Sequence, residues 1–107
     1  MIHEMRIYEA MPGRLPDLNK RFETITLKFW EKHGISQAGF WTADIGTSNE
    51  LIYLLEWEDL AERDKKWAAF MADPEWTTKR AQTESAGPLV ARIRNSILRP
   101  TTYSSVQ

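Results

Sequence analysis

Arg6 and Tyr8 are the residues whose types and spacing most suggest chemistry. They stand two apart in Ile2–Ala10, a stretch that alternates Met5 and Ile7 with Glu4, Arg6 and Tyr8. Alternation of period two is a strand signal, so Arg6 and Tyr8 share one face. Because Met5 and Ile7 are the apolar members, they are expected to pack on the helices, with Arg6 and Tyr8 on the face opposite. Across a sheet, Arg6 and Tyr8 could meet Thr42, Tyr53 and Trp57. An arginine for a carboxylate, hydroxyls for orientation and aromatic walls make a ligand pocket. The competing reading is structural: Arg6 pairs with Glu4 or with a carboxylate across an interface, and the tyrosine hydroxyls are satisfied there too.

The other polar candidates carry less. His3 and His33 are the only histidines. His33 stands where a helix should end and suits a dipole or capping role. His3, near a strand start, is expected half-exposed. No second ligand stands at a matching spacing, so no metal is expected. Glu56 and Glu58, two apart on a strand, share a face and could serve acid–base work, but no partner is evident. Trp30, Trp67 and Trp76 read as core rather than as a stacking platform. The chain has no Gly-rich phosphate loop, Ser-His-Asp order or carboxylate cluster, and no cofactor is expected.

Composition narrows the classes. With 107 residues, the chain fits one domain, expected over 1–107 with a polar, frayed tail at 101–107. Fourteen basic and fifteen acidic residues lie scattered, with no basic run, so nucleic acid and anionic membranes are not expected partners. The absence of cysteine excludes disulfides, thiolate nucleophiles and Cys-based zinc sites. The N-terminus does not read as a signal peptide, and no apolar run approaches the roughly 20 residues of a membrane span. The expected compartment is the cytoplasm.

The elements that must position these residues follow from pattern. Met11-Pro12-Gly13 ends the first strand. Leu15, Leu18, Phe22, Ile25 and Phe29, spaced three or four apart, form the apolar stripe of a helix, widened by Trp30. Lys20, Arg21, Glu23 and Lys28 fall on its other side, and Gly34 suits its C-terminal end. Gly39–Ile45 reads as a second strand and Leu51–Trp57 as a third, joined by a hairpin loop through Gly46–Asn49. Asp59, with Glu62 three residues later, marks a helix start, with Leu60, Trp67, Phe70 and Met71 expected inward. Asp73-Pro74-Glu75 marks another start, and Gly87-Pro88 closes that helix. Ala91–Arg99 is the last strand, stopped by Pro100. The order βαββαβ is the ferredoxin-like plan of the α+β class: a four-stranded antiparallel sheet with helices on one face.

That plan leaves the second face in need of cover. Ile52 and Leu54 alternate with Tyr53, Leu55 and Trp57, so both faces of the third strand are apolar. Phe40 likewise alternates with Trp41, Ala43 and Ile45. Monomers rarely expose such a patch, and a second copy of the sheet would cover it, so a homodimer is expected.

The chain also resembles the NIPSNAP family of small dimeric α+β barrel domains, from Ile2 to Pro100. The residues that carry the resemblance are Glu4, Arg6 and Tyr8 before Pro12-Gly13; Gly39-Phe40-Trp41; Glu58-Asp59-Leu60-Ala61-Glu62-Arg63; Asp73-Pro74-Glu75-Trp76; and Ile97-Leu98-Arg99-Pro100. The resemblance implies the same fold and a homodimer whose sheets face each other, with little chemistry. Family members commonly show His and Trp where Tyr53 and Leu55 stand here, so any role of that His is missing from this chain.

Two functional expectations remain. One is a non-enzymatic homodimeric module that binds a small ligand or a protein. The other is a cofactor-independent enzyme, monooxygenase- or isomerase-like, acting on a small apolar or aromatic substrate between sheet and helices. A closed cavity holding a polar group in an unusual environment would separate them.

Overall fold

A computed structural model describes residues Met1–Gln107. The elements run β1 (Ile2–Ala10), α1 (Leu15–Arg21), a π-helical turn (Phe22–Thr26), α2 (Leu27–His33), β2 (Ser36–Thr42), β3 (Glu50–Trp57), α3 (Leu60–Met71), α4 (Pro74–Thr83) and β4 (Val90–Leu98). The strands form one antiparallel sheet in the order β2-β3-β1-β4. This is the ferredoxin-like arrangement, and its core lies between the sheet and the helices.

The helix from Leu15 to His33 is continuous, but its middle departs from α geometry. The Leu27 N–H bonds to the Phe22 carbonyl five residues back, and the helix closes at Gly34 in the left-handed region, φ 70°. At 3.6 residues per turn, Arg21 and Thr26 would point roughly 140° apart. The wider turn instead brings both inward, at 5% and 3% exposure. Arg21 therefore leaves the polar side on which period 3.6 places it, and Ile25 of the apolar stripe is only half-buried.

β2 begins and ends three residues earlier than the pattern suggested. Thr42 pairs with Leu51 near the start of β3, and Ile45 lies in the loop at 97% exposure. The register of β2 shifts between Gln37 and Gly39. Gly39, at φ 143°, lets the Trp41 ring lie over the backbone; a Cβ there would come within 2.7 Å of Trp41 Cη2.

Asp59 caps α3 by accepting from the Glu62 N–H at 2.8 Å, and Glu62 accepts from the Glu58 N–H. Phe70 is buried and Trp67 packs against the core. Leu60 and Met71, expected inward, are 47% and 45% exposed. They are the first and last residues of this twelve-residue helix, whose buried residue is Phe70. Asp73 caps α4 and also accepts from Lys32 Nζ at 2.8 Å and His33 Nε2 at 2.7 Å, tying the end of α2 to the start of α4.

Candidate functional site

The polar series of β1 faces the helices. Glu4, Arg6 and Tyr8 pair across the sheet with Leu55, Tyr53 and Leu51, all buried, and share their face. Arg6 and Tyr8 are thus not on the face opposite the helices, as expected, but inside the sheet–helix core. Met5 and Ile7, with Ile52 and Leu54, lie half-buried on the open face. The inversion is stable because a carboxylate comes in with the arginine.

That carboxylate is Glu4, fully buried at 0% exposure. Its Oε2 accepts from Arg6 Nη1 (3.0 Å), Asn95 Nδ2 (3.0 Å) and Arg63 Nη2 (3.2 Å). Its Oε1 accepts from Arg63 Nε (2.8 Å) and Trp57 Nε1 (3.1 Å). Five donors saturate its acceptor positions. Burial by itself pushes the Glu4 carboxyl up, but hydrogen bonds from Arg63 and Asn95 and the Arg6 charge outweigh burial, lowering it from 4.5 to about 2.

Arg6 is held from several sides. Its guanidinium lies 4.6 Å from the centroid of the Trp67 ring. Burial opposes its charge, while Tyr53, Tyr8 and Glu4 favour it and raise it above its ordinary value. Arg6 Nε donates to the Tyr53 hydroxyl at 2.9 Å, and Tyr53 donates to the Tyr8 hydroxyl at 3.0 Å. Arg6 Nη2 reaches the same Tyr8 oxygen at 3.4 Å. Burial, reinforced by Tyr8, raises the Tyr53 phenol well above its ordinary value, so it stays protonated and donates. The chain of donors runs from Arg6 through Tyr53 to Tyr8, and the Tyr8 proton is left without a protein acceptor.

Tyr8 opens onto a cleft of about 110 Å³ between sheet and helices. Ring carbon from Phe22, Trp67, Phe70 and Trp76 makes up much of its wall, and the charged residues that line it are Arg6, Arg21 and Arg80. Four buried side-chain polar atoms in the protein lack a hydrogen-bond partner, and three of them belong to residues of this wall: Arg21 Nε, Thr26 Oγ1 and Trp30 Nε1. Buried polar groups are nearly always paired, so three orphans around one cavity are unusual. The π-helical turn carries Thr26 and follows directly on Arg21, and such turns recur at functional sites.

Of the residues expected to form a site, the fold brings together Arg6, Tyr8, Tyr53 and Trp57, all around Glu4 or its arginine. Thr42 is exposed on β2, opposite Leu51, and its side chain makes no hydrogen bond with them. Glu58 lies beyond the end of β3 and is exposed. Glu56 pairs with His3 on the open face, and His3 is buried at 5%, not half-exposed, with Nε2 unpartnered. No group of three or more acidic or histidine side chains is placed to hold a metal ion. No helix is long and apolar enough to cross a membrane. Sequence reasoning missed Arg63, Asn95 and Arg21. Arg63 was within reach, since it follows the Asp59 cap by four residues and so starts the helix on the sheet side; Arg21 was hidden by the π-helical turn.

Comparison with known proteins places this geometry in a wider set. The model of the NIPSNAP family matches residues 3–105. An uncharacterized NIPSNAP-like domain protein from Burkholderia xenovorans is 30% identical, with a TM-score of 0.86 over 96% of this chain and 87% of that one. Protein Atu4242 from Agrobacterium tumefaciens, a NIPSNAP family protein with unknown function, is 25% identical, with a TM-score of 0.89 over 100% of both chains. A candidate antibiotic biosynthesis monooxygenase from Nitrosomonas europaea shares the fold alone, at 10% identity and a TM-score of 0.63 over 96% of this chain and 100% of that one. No curated protein matches the chain.

Proposed function

The chain belongs to the NIPSNAP family, and from that premise we propose that it is a homodimeric small-molecule-binding domain whose ligand occupies the sheet–helix cleft of each protomer. The observation that carries this reading is the gathering of three unpartnered buried polar atoms, Arg21 Nε, Thr26 Oγ1 and Trp30 Nε1, around one cavity. A ligand that meets them would recover the cost of their burial, roughly 1–3 kcal/mol for each group left unmade. Arg6, Tyr8, Tyr53 and Trp57 belong to the same unit. Arg6 and Tyr8 line the cleft, while Tyr53 and Trp57 hold their arginine and carboxylate behind it.

The dimer is supported by the open sheet face, where Met5, Ile7, Ile52 and Leu54 are half-buried and Trp41 is 51% exposed. A second sheet laid on this face would cover a continuous apolar band. The enzyme alternative, a cofactor-independent oxygenase or isomerase, would need a group that accepts a proton in the cleft. The polar groups of its lining residues are guanidiniums, indoles and hydroxyls, which favours holding an acceptor over abstracting a proton.

The five tryptophans supply the test. Indole N–H signals of the dimer are followed by NMR during a screen of small apolar and aromatic molecules. Binding in the cleft moves the Trp30, Trp67 and Trp76 signals and leaves Trp41, on the other face, in place. A screen in which no compound moves those three signals overturns the reading.

A further inference from the structure

Arg21 uses one of its three nitrogens. Nη1 donates to Glu84 Oε1 at 3.1 Å and to Thr83 Oγ1 at 3.3 Å. Nε is buried without a partner, and Nη2 makes no hydrogen bond. Those two N–H groups share one edge of the guanidinium plane, the edge whose spacing matches the two oxygens of a carboxylate. The arginine side chain is 5% exposed and lines the cleft, and its bare edge runs from the buried Nε to an Nη2 that keeps accessible surface.

Charge in the cleft is unbalanced in the same sense. Glu4 is shared between Arg6 and Arg63, and Glu84 between Arg21 and, at 3.9 Å, Arg80. With Asp64, which accepts from Arg63 Nη1 at 3.2 Å, three carboxylates thus face four guanidiniums. Donors and acceptors are unbalanced as well: arginine and the Trp30 indole can only donate, and the Tyr8 hydroxyl ends its relay with a proton to give. Thr26, brought beside Arg21's face of the helix by the π-helical turn, adds a hydroxyl. The rest of the wall is ring carbon. For scale, an apolar cavity of roughly 150 Å³ holds a benzene ring; at about 110 Å³ the cleft takes a short aliphatic body whole and an aromatic body only in part.

Resting on the cleft reading above, we propose that the occupant is a small monocarboxylate with an apolar or aromatic body. Its carboxylate lies on the Nε–Nη2 edge of Arg21 with the Thr26 hydroxyl beside it, and its body lies against Trp67, Phe70 and Trp76. Arg6, with each of its three nitrogens already engaged by Glu4, Tyr53 or Tyr8, is a wall and not the anchor.

The test titrates the purified protein with butyrate, benzoate and phenylacetate, and with the matching neutral amides. Indole N–H signals and thermal shift are the readouts. At least one acid moves the Trp30, Trp67 and Trp76 signals and raises the melting temperature, and its amide binds at least tenfold more weakly. Thr26→Val weakens the acid about fivefold or more, and Arg21→Gln about tenfold or more. Should Arg21→Gln fail to fold, Thr26→Val and the acid–amide comparison still decide. Amides that bind as tightly as acids, or acids that bind both variants with wild-type affinity, overturn the carboxylate assignment and leave the cleft reading standing. A cleft that no acid and no neutral compound perturbs holds only water, and both readings fall.

Discussion

Arg63 on α3 grips Glu4 on β1 with two nitrogens, Nε on Oε1 at 2.8 Å and Nη2 on Oε2 at 3.2 Å. This fork joins a helix to the central sheet across 59 residues of chain, and on its far side the same carboxylate holds Arg6 at 3.0 Å. The wall of the cleft therefore hangs on one glutamate.

Glu4 sets an acid limit on stability. Its carboxyl lies at about 2 in the folded protein and near 4.5 when unfolded. A lowered folded value means stability that is fully present above about pH 4.5 and is lost as pH falls towards 2. The shift corresponds to about 3 kcal/mol. Urea denaturation between pH 6 and pH 2.5 should show this loss in the wild type and a flatter profile in Glu4→Gln.

Removing either partner alone should be costly. Glu4→Gln leaves Arg6 and Arg63 facing a neutral amide, and Arg6→Met leaves the Tyr53 hydroxyl without its buried donor. Each should destabilise the protein by about 3 kcal/mol or more. The double variant should cost less than the sum, because the two changes act on one network. Additive values in a denaturant cycle would mean that Arg63 and Asn95 alone carry the carboxylate.

Trp76 is buried against Phe70, at 4.7 Å between ring centroids, and Phe29, at 5.9 Å. Trp76→Ala should cost about 3–5 kcal/mol. An unchanged melting temperature would contradict its place in the core.

Asp73 does two jobs that substitution can separate. Hydrogen bonds from Lys32 and His33 hold its carboxyl well below its ordinary value, and its Oδ1 accepts from the Glu75 N–H to cap α4. Asp73→Asn keeps a capping oxygen, while Asp73→Ala removes cap and charge. The alanine variant should therefore melt below the asparagine variant, and both below the wild type.

The open sheet face predicts an assembly. Light scattering should give about twice the 12.5 kDa chain mass at micromolar concentration, with an interface above roughly 1,200 Å² in total. Leu54→Asp, on that face, should yield monomers or lose solubility. A wild-type monomer would overturn the paired sheets.

Local rules made much of this architecture legible in the chain. Period-two alternation marked β1 and β3, and Asp59 and Asp73 announced their helices because a cap is a contract between residues two or three apart. Gly34 ended α2 for a similarly local reason, its left-handed backbone. Even the members of the buried cluster could be named, since Arg6, Tyr8, Tyr53 and Trp57 stood out by type. Which face they occupy could not be read from polarity. A strand's two faces are equivalent until something packs on one, and Glu4 became an acceptable core residue only when Arg63 and Asn95 arrived from 59 and 91 residues away. Arg21 shows the same limit inside a helix. Period 3.6 sends it to solvent, and one π-helical turn brings it inward to the cleft. Local sequence determined the elements and their ends; the pairing of distant charges and one irregular turn decided what the cleft contains, because the cost of burying a charge depends on partners that only the tertiary fold supplies.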